Sequence, residues 1–347
     1  MYFRVSGNAP MKYPVETFFG VVYCSNNEII EIPQQYPFKG NWGIPQTNLL
    51  ETPKEYHGPF KLDLVYLSII EQKFYSIEVT IPQEMVANSY AVIKRDTVKD
   101  SIPYIVIGMA PYGLISVWFA NSYKTTLISS FWGEEIQVTM NMFRANRKDA
   151  TLNDICADYI DINNRTKKKR LLNIIPKKDL FAKYMQQFTY RYLPLFEKYN
   201  DAEDVKWQKY KEEDHPEYEY IEESLFDGTF DKLHDDGLLK YHQAGKPKKI
   251  SIKWHIKKSE YAAYFWFEDE KICSIFERFY GAHPDTKTDF IIRIDAEKKK
   301  YELALFRHGL KEPQIISEDA YQLLVFKNKF EDYRSDNYNQ ERGAWIW

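Results

Sequence analysis

The chain has 347 residues, 47 basic against 50 acidic side chains and a formal charge of −3, a balance that excludes a general electrostatic attraction to nucleic acid or anionic lipid. Aromatics make up 16% of it, which excludes disorder, and the length predicts about two domains rather than one core. Glycine is scarce at 14 residues, an early sign against phosphate-cradling loops.

In chain order, the start (residues 1–18) lacks an apolar secretory core and a cleavage pattern. The expected location is therefore cytoplasmic as the chain stands, or periplasmic if a leader has been removed. Cys24, Cys156 and Cys273 are far apart and odd in number, so they are expected as small buried residues rather than as a disulfide framework. The apolar run 104–120 is too short to span a bilayer and is broken by Pro111-Tyr112-Gly113. Two strands, Tyr104–Met109 and Leu114–Phe119, explain it better, with Pro fixing φ and Gly accepting positive φ at the turn.

Residues 61–86 and 249–272 share an order of features. Each opens on an alternating strand, with Leu62, Leu64 and Tyr66 set against Ile250, Ile252 and Trp254. Each turns through charge into a second strand and then reaches an acidic helix start, Pro82-Gln83-Glu84 or Glu268-Asp269-Glu270. Strand Tyr104–Met109 is matched by Phe290–Asp295, and Leu114–Phe119 by Lys300–Phe306. A closing helix is expected in each, with Ile136, Met140 and Phe143 in one and Leu323, Phe326 and Phe330 in the other. The expectation is an α+β fold of two similar antiparallel-sheet units from an internal duplication, each strand–strand–helix–strand–strand–helix. The expected domains are 1–147, a first α+β unit; 148–243, a charged and largely helical connecting segment; and 244–347, a second α+β unit.

In the connecting segment, Thr151 to Asp154 has the capping-box pattern, and a further helix is expected from Asp179 to Tyr199. The window 201–236 carries fourteen acids against four lysines, interleaved with Trp207, Tyr210, Tyr218, Tyr220 and Phe226. Glu212, Glu213, Asp214, Glu217, Tyr218, Tyr220, Glu222 and Glu223 are the candidate partner-binding residues.

The search for chemistry is negative. Lys246 lacks the glycine spacing of a nucleotide loop, and no GxGxxG, GxSxG or HExxH occurs. His234-Asp235-Asp236 with His242 is the nearest approach to a metal cluster, and a solvated acidic loop explains it better. Glu71 and Glu84 flank a strand rather than forming a catalytic pair. The basic run 165–170 has no interleaved aromatics, which favours a solvated helix end over a phosphate contact. Trp42-Gly43 and Trp345-Ile346-Trp347 are expected to dock on the protein's own body. No catalytic residue, cofactor or metal ligand is assigned.

Four segments resemble a known family. Tyr13-Pro14-Val15, Ser68 with Glu71 and Lys73-Phe74-Tyr75, Gly108 with Ala110-Pro111 and Gly113, and Val117-Trp118 follow the pattern of the bacterial domain of unknown function 2931. The resemblance covers about residues 1–145. It carries no catalytic residue, and it implies a lipoprotein or an immunity protein associated with type VI secretion. This chain shows no lipobox cysteine near its start. The expected function is therefore a non-catalytic protein-binding protein, an immunity protein that neutralises a cognate and possibly basic bacterial toxin, with no nucleic acid and no membrane span. The alternatives are a metal-dependent hydrolase using His234, Asp235, Asp236 and His242, or a structural assembly subunit.

Overall fold

In a computed structural model, the structure describes residues 1–25, 28–32, 38, 40–46, 54–95, 102–145, 147, 149–167, 177–199, 207–209, 216–256, 259–281, 283, 285–295 and 300–329. The side chains of 161–167, 207–209, 235–236 and 328–329 are outside that description. The chain divides into two compact units. One holds Met1–Ala182 with Asp227–Thr229, and the other holds Lys183–Phe226 with the residues from Phe230 onward.

The first unit contains β1 (Tyr2–Asn8), β2 (Val15–Tyr23), β3 (Ile29–Glu31), β4 (Lys54–Glu55), β5 (Phe60–Ser68) and β6 (Lys73–Ile81). Helix α1 (Gln83–Arg95) follows, then β7 (Tyr104–Met109), β8 (Leu114–Ala120), β9 (Thr125–Trp132), β10 (Glu134–Ile136), α2 (Met140–Phe143), α3 (Leu152–Lys167) and the start of α4 (Lys178–Tyr184). Its strands pair in the order β10-β6-β5-β2-β3 and in the order β9-β8-β7-β1-β4. Strand β1 runs parallel to β7, and β5, β6, β7 and β8 form antiparallel hairpins.

Alternation explains why the two sheets face each other. Phe60, Leu62, Leu64 and Tyr66 of β5 join Ile105, Ile107 and Met109 of β7 and Ile115, Val117 and Phe119 of β8 in one buried core. Val86 and Ile93 of α1 complete it. Helix α1 carries Glu84 in its first turn and Lys94 and Arg95 in its last, which suits the helix dipole at both ends.

The second unit contains β11 (Phe188–Tyr199), β12 (Trp207–Lys209), β13 (Glu217–Leu225), β14 (Phe230–Leu233), α5 (Asp235–Leu238), β15 (His242–Ala244), β16 (Pro247–Ile256) and β17 (Ser259–Phe267). Then come α6 (Asp269–Tyr280), β18 (Thr288–Asp295), β19 (Lys300–Arg307), β20 (Gln314–Ile316) and β21 (Tyr321–Lys329). The orders are β21-β17-β16-β13-β14 and β12-β11-β18-β19-β20, with β15 also on β11. Ring contacts Phe196–Trp254, Phe267–Phe290 and Phe265–Tyr301 join the two sheets.

The expected α+β class is overturned: strands take 53% of the described residues and helix 20%. The strand–strand–helix–strand–strand–helix unit and the largely helical insert fall with it. Glu318–Ala320 is one 3-10 turn, and the residues after it form β21, paired along the whole of β17. Ile136 lies in β10, and the helix that follows is only Met140–Phe143, capped by Thr139. The segment 148–243 contains α3, α4 and α5 but also β11 to β15. Phe188, Tyr190, Tyr192 and Phe196 are all buried, mostly at a two-residue period that a helical reading of Asp179–Tyr199 overlooks. The capping box does form: Thr151 and Asp154 exchange side chain-to-backbone hydrogen bonds at 2.8 and 3.2 Å. No helix among the described residues is long and apolar enough to cross a membrane.

Candidate functional site

Glu212, Glu213 and Asp214 lie outside the described residues, as do Trp345, Ile346 and Trp347 and the side chains of the basic run 165–170. The other five candidate residues fall on β13, which alternates between two faces. Ile221, Glu223 and Leu225 point into the unit, while Tyr220 and Glu222 point outward. Glu217 is exposed at the strand's start.

The outward face of β13, β16 and β17 gathers a charged group. Glu219 Oε2 accepts from Lys253 Nζ at 3.1 Å and faces His255 Nε2 at 3.1 Å. Glu260 Oε2 lies 3.0 Å from the same ammonium. Residues 253 and 255 are on one face of β16, and Glu260 is brought opposite His255 by the hairpin. Glu219 joins them because β13 is irregular between Tyr218 and Tyr220, which pair with the adjacent residues Trp254 and Lys253.

Burial opposes ionisation of Glu219, but hydrogen bonds from Lys253 and His255 outweigh it and hold the carboxyl below its ordinary range. Lys253 likewise loses some hydration, yet Glu260 and Glu219 raise its affinity for the proton. The ligand atoms of Glu219, His255 and Glu260 fall within 4.8 Å of one another, a spacing that suits a divalent ion. Lys253 already supplies the positive charge there, so this donor set is a closed ion-pair network.

Aromatics flank the group. Lys232 Nζ sits 3.4 Å from the Tyr220 ring centroid, and Lys253 Nζ is 5.8 Å from the same ring. Tyr264 and Trp266 stack at 5.7 Å, with Lys249 over both. Glu222 accepts from Ser251 at 3.3 Å.

Of the residues considered for a metal cluster, His234 and His242 go to different neighbours. The His234 ring packs on outward-facing Tyr220 at 6.0 Å. His242 instead lies against Tyr190 and faces inward-pointing Glu223, 3.6 Å away. The side chains of Asp235 and Asp236 are outside the described set. Sequence reasoning missed Glu219, Lys253, His255 and Glu260. The signal for Lys253 and His255 was polar residues alternating with Ile250, Ile252 and Trp254 on β16.

The motif residues of the first unit build a corner. Glu71 accepts from the Tyr75 hydroxyl and from the Tyr112 amide, both at 2.9 Å. That clamp holds Tyr112 at φ 62°, a left-handed conformation that costs a non-glycine residue on the order of 1 kcal/mol or more. Glu84 is in the first turn of α1, so the two carboxylates serve different elements. A Cβ on Gly108 would meet Trp118 at 2.3 Å and Trp42 at 2.8 Å, so glycine there admits the edge-to-face pair Trp42–Trp118. Trp118 also donates its indole N–H to the Asp227 carbonyl at 3.0 Å.

All three cysteines are buried. Burial pushes their thiols up to about 11 for Cys24, about 12 for Cys156 and about 11 for Cys273, away from nucleophilic thiolate chemistry.

No curated protein and no solved structure matches the chain. Residues 1–172 match the family described as Protein of unknown function (DUF2931), a span that includes all of α3 and holds the Glu71 corner and the Trp42–Trp118 pair. Residues 1–172, nearly all of the first unit, belong to the DUF2931 family.

Proposed function

We propose that the chain is a non-catalytic protein-binding protein, that its interface includes the outward face of β13, β16 and β17, and that its role is to neutralise a cognate bacterial toxin. The observation that carries the binding reading is a difference between the two units. At four equivalent sheet positions the first unit has Phe18, Val65, Leu67 and Phe74, packed with residues of α2 and α3. The second unit has Glu219, Lys253, His255 and Glu260 there, with side chains from 11% to 40% exposed. A face that could have been closed with apolar residues instead carries fixed charge and aromatic rings. Charges of this kind steer and orient association, while aromatic anchors such as Tyr220 and Trp266 suit affinity. The toxin-neutralising role rests on the family resemblance alone.

The test uses the product of the adjacent gene as partner. Reversing Glu217, Glu219 and Glu222 together to Lys is expected to slow association with a basic partner at least several-fold at low salt, with the effect shrinking as salt rises. Co-expression of the unaltered chain is expected to relieve that product's toxicity in a bacterial host. An unchanged association rate would place the interface elsewhere, and absence of both binding and relief would remove the immunity role.

A further inference from the structure

We infer that His242, Glu223 and Tyr192 form a proton-operated latch that fastens β15 to the core of the second unit. Glu223 is a buried carboxylate on the inward face of β13, its side chain 3% exposed. Its Oε2 accepts from the Tyr192 hydroxyl of β11 at 2.7 Å, so the carboxylate ties the two sheets of the unit together. Its Oε1 faces His242 Nε2 at 3.6 Å, and that nitrogen is shut off from water without a closer partner.

The other ring nitrogen decides the protonation state. His242 Nδ1 lies 3.3 Å from the Lys240 carbonyl, which accepts only if Nδ1 carries a proton. A neutral imidazole protonated there would aim the Nε2 lone pair at a carboxylate. Only the imidazolium gives both nitrogens a hydrogen to present. The remaining neighbours do not change that balance: Tyr190 and Tyr192 from β11 offer neutral rings, and Asp231 from β14 adds negative charge. Burial works against charge on His242, but Glu223 outweighs it, so the ring holds its proton above the usual 6.5.

Loss of that proton as pH rises leaves Glu223 buried with Tyr192 and removes the side-chain tie between β15 and β13. Strand β15 is three residues long and, among the described residues, pairs only with β11, so it is the element expected to open.

The experiment measures the His242 titration by NMR in the full chain, with His242→Gln for assignment, and amide exchange of the β15 peptide at pH 6 and pH 8 after correction for intrinsic rates. His242 is expected to titrate above 6.5, and protection of β15 to fall on the order of tenfold for each pH unit of that shift. In Glu223→Gln, which keeps an acceptor for Tyr192, the titration is expected to drop to 6.5 or below and the pH dependence of β15 to vanish. A wild-type titration at or below 6.5 overturns the latch, whether or not the variant folds. PH-independent protection in the wild type, or unchanged pH dependence in Glu223→Gln, overturns it as well.

Discussion

The two units pair their strands by one scheme and finish the outer face of one sheet in opposite ways. In the first, β2 pairs with β5 and β5 with β6; in the second, β13 pairs with β16 and β16 with β17. Each has one parallel pair, β1 with β7 or β11 with β18. Even the irregularity recurs. Thr17 and Phe19 pair with neighbouring residues of β5 and leave Phe18 extra, as Tyr218 and Tyr220 leave Glu219 extra. Inside, Tyr66 lies against Tyr75 and Trp254 stacks on Tyr261 at corresponding places. Outside, the first unit has an apolar patch under two helices and the second a charged network. A bulge fixes where an extra side chain emerges but not its chemistry, so the same backbone device serves packing in one unit and a polar surface in the other.

Exchanging residues across that equivalence is the sharpest way to break the comparison. Phe74→Glu places an unpaired carboxylate among Leu67, Phe143 and Ile155. The expected loss is more than about 4 kcal/mol, read as failure of the first unit to fold in urea titrations followed by amide exchange. The reverse change, Glu260→Phe, leaves Lys253 its contact with Glu219 and is expected to cost no more than about 1–2 kcal/mol. Equal penalties would mean that the two faces are alike in packing and that their different chemistry carries no information.

Next in size is the ion pair beneath the helices. Glu16 is fully buried and its Oε1 is held by Arg144, just after α2. Arg144→Ala is expected to destabilise the first unit by about 3–5 kcal/mol, because a buried charge is left without its partner. Adding Glu16→Gln should return most of that loss in the same denaturation measurement. Lys253→Met in the exposed network is expected to cost about 1 kcal/mol or less. An effect between those two is expected at the motif corner, where Glu71→Ala removes the acceptor of two hydrogen bonds at about 1–3 kcal/mol. Tyr112→Gly in that background should recover part of it, since glycine adopts the left-handed conformation freely.

Legibility followed the period of the apolar residues. Strands β5, β7 and β8 showed in the sequence because Leu62, Leu64 and Tyr66, or the unbroken run either side of Pro111, admit no amphipathic helix. Strand β21 did not, because Leu323, Phe326 and Phe330 also satisfy a helical spacing. Only its pairing with Glu260 to Phe267 decides between the two. Strand β11 was hidden for the opposite reason: Arg191, Glu197 and Lys198 sit among its aromatics and mimic the charged face of a surface helix. The candidate site was half legible. An acidic–aromatic stretch marked β13 but could not separate inward Glu223 from outward Glu222. The group around Lys253 spans three strands and exists only after the sheet is assembled.

The smallest expected effect is also the one whose sign differs between the units. Desolvation raises the carboxyl of Glu16 above its ordinary 4.5, and Arg144 only partly opposes it. The folded state therefore binds that proton more tightly than the unfolded chain, so Glu16 weakens the first unit at neutral pH. Stability should be regained as pH falls through the raised folded value toward 4.5. Glu219 is the reverse case. Its lowered folded value means that its contribution is present above 4.5 and is lost as pH falls through the folded pKa, and a side chain 40% exposed keeps that contribution small and salt-sensitive. Amide exchange of β5 and β16 peptides, measured from pH 6.5 down to 4 and corrected for intrinsic rates, follows the two units separately. Protection of β5 is expected to rise over part of that range and to become flat in Glu16→Gln. Protection of β16 is expected to fall slightly toward the acid end and to become flat in Glu219→Gln. Parallel pH profiles would show that Arg144 compensates the burial of Glu16 fully, and the contrast between a sealed face and an open one would then lose its electrostatic half.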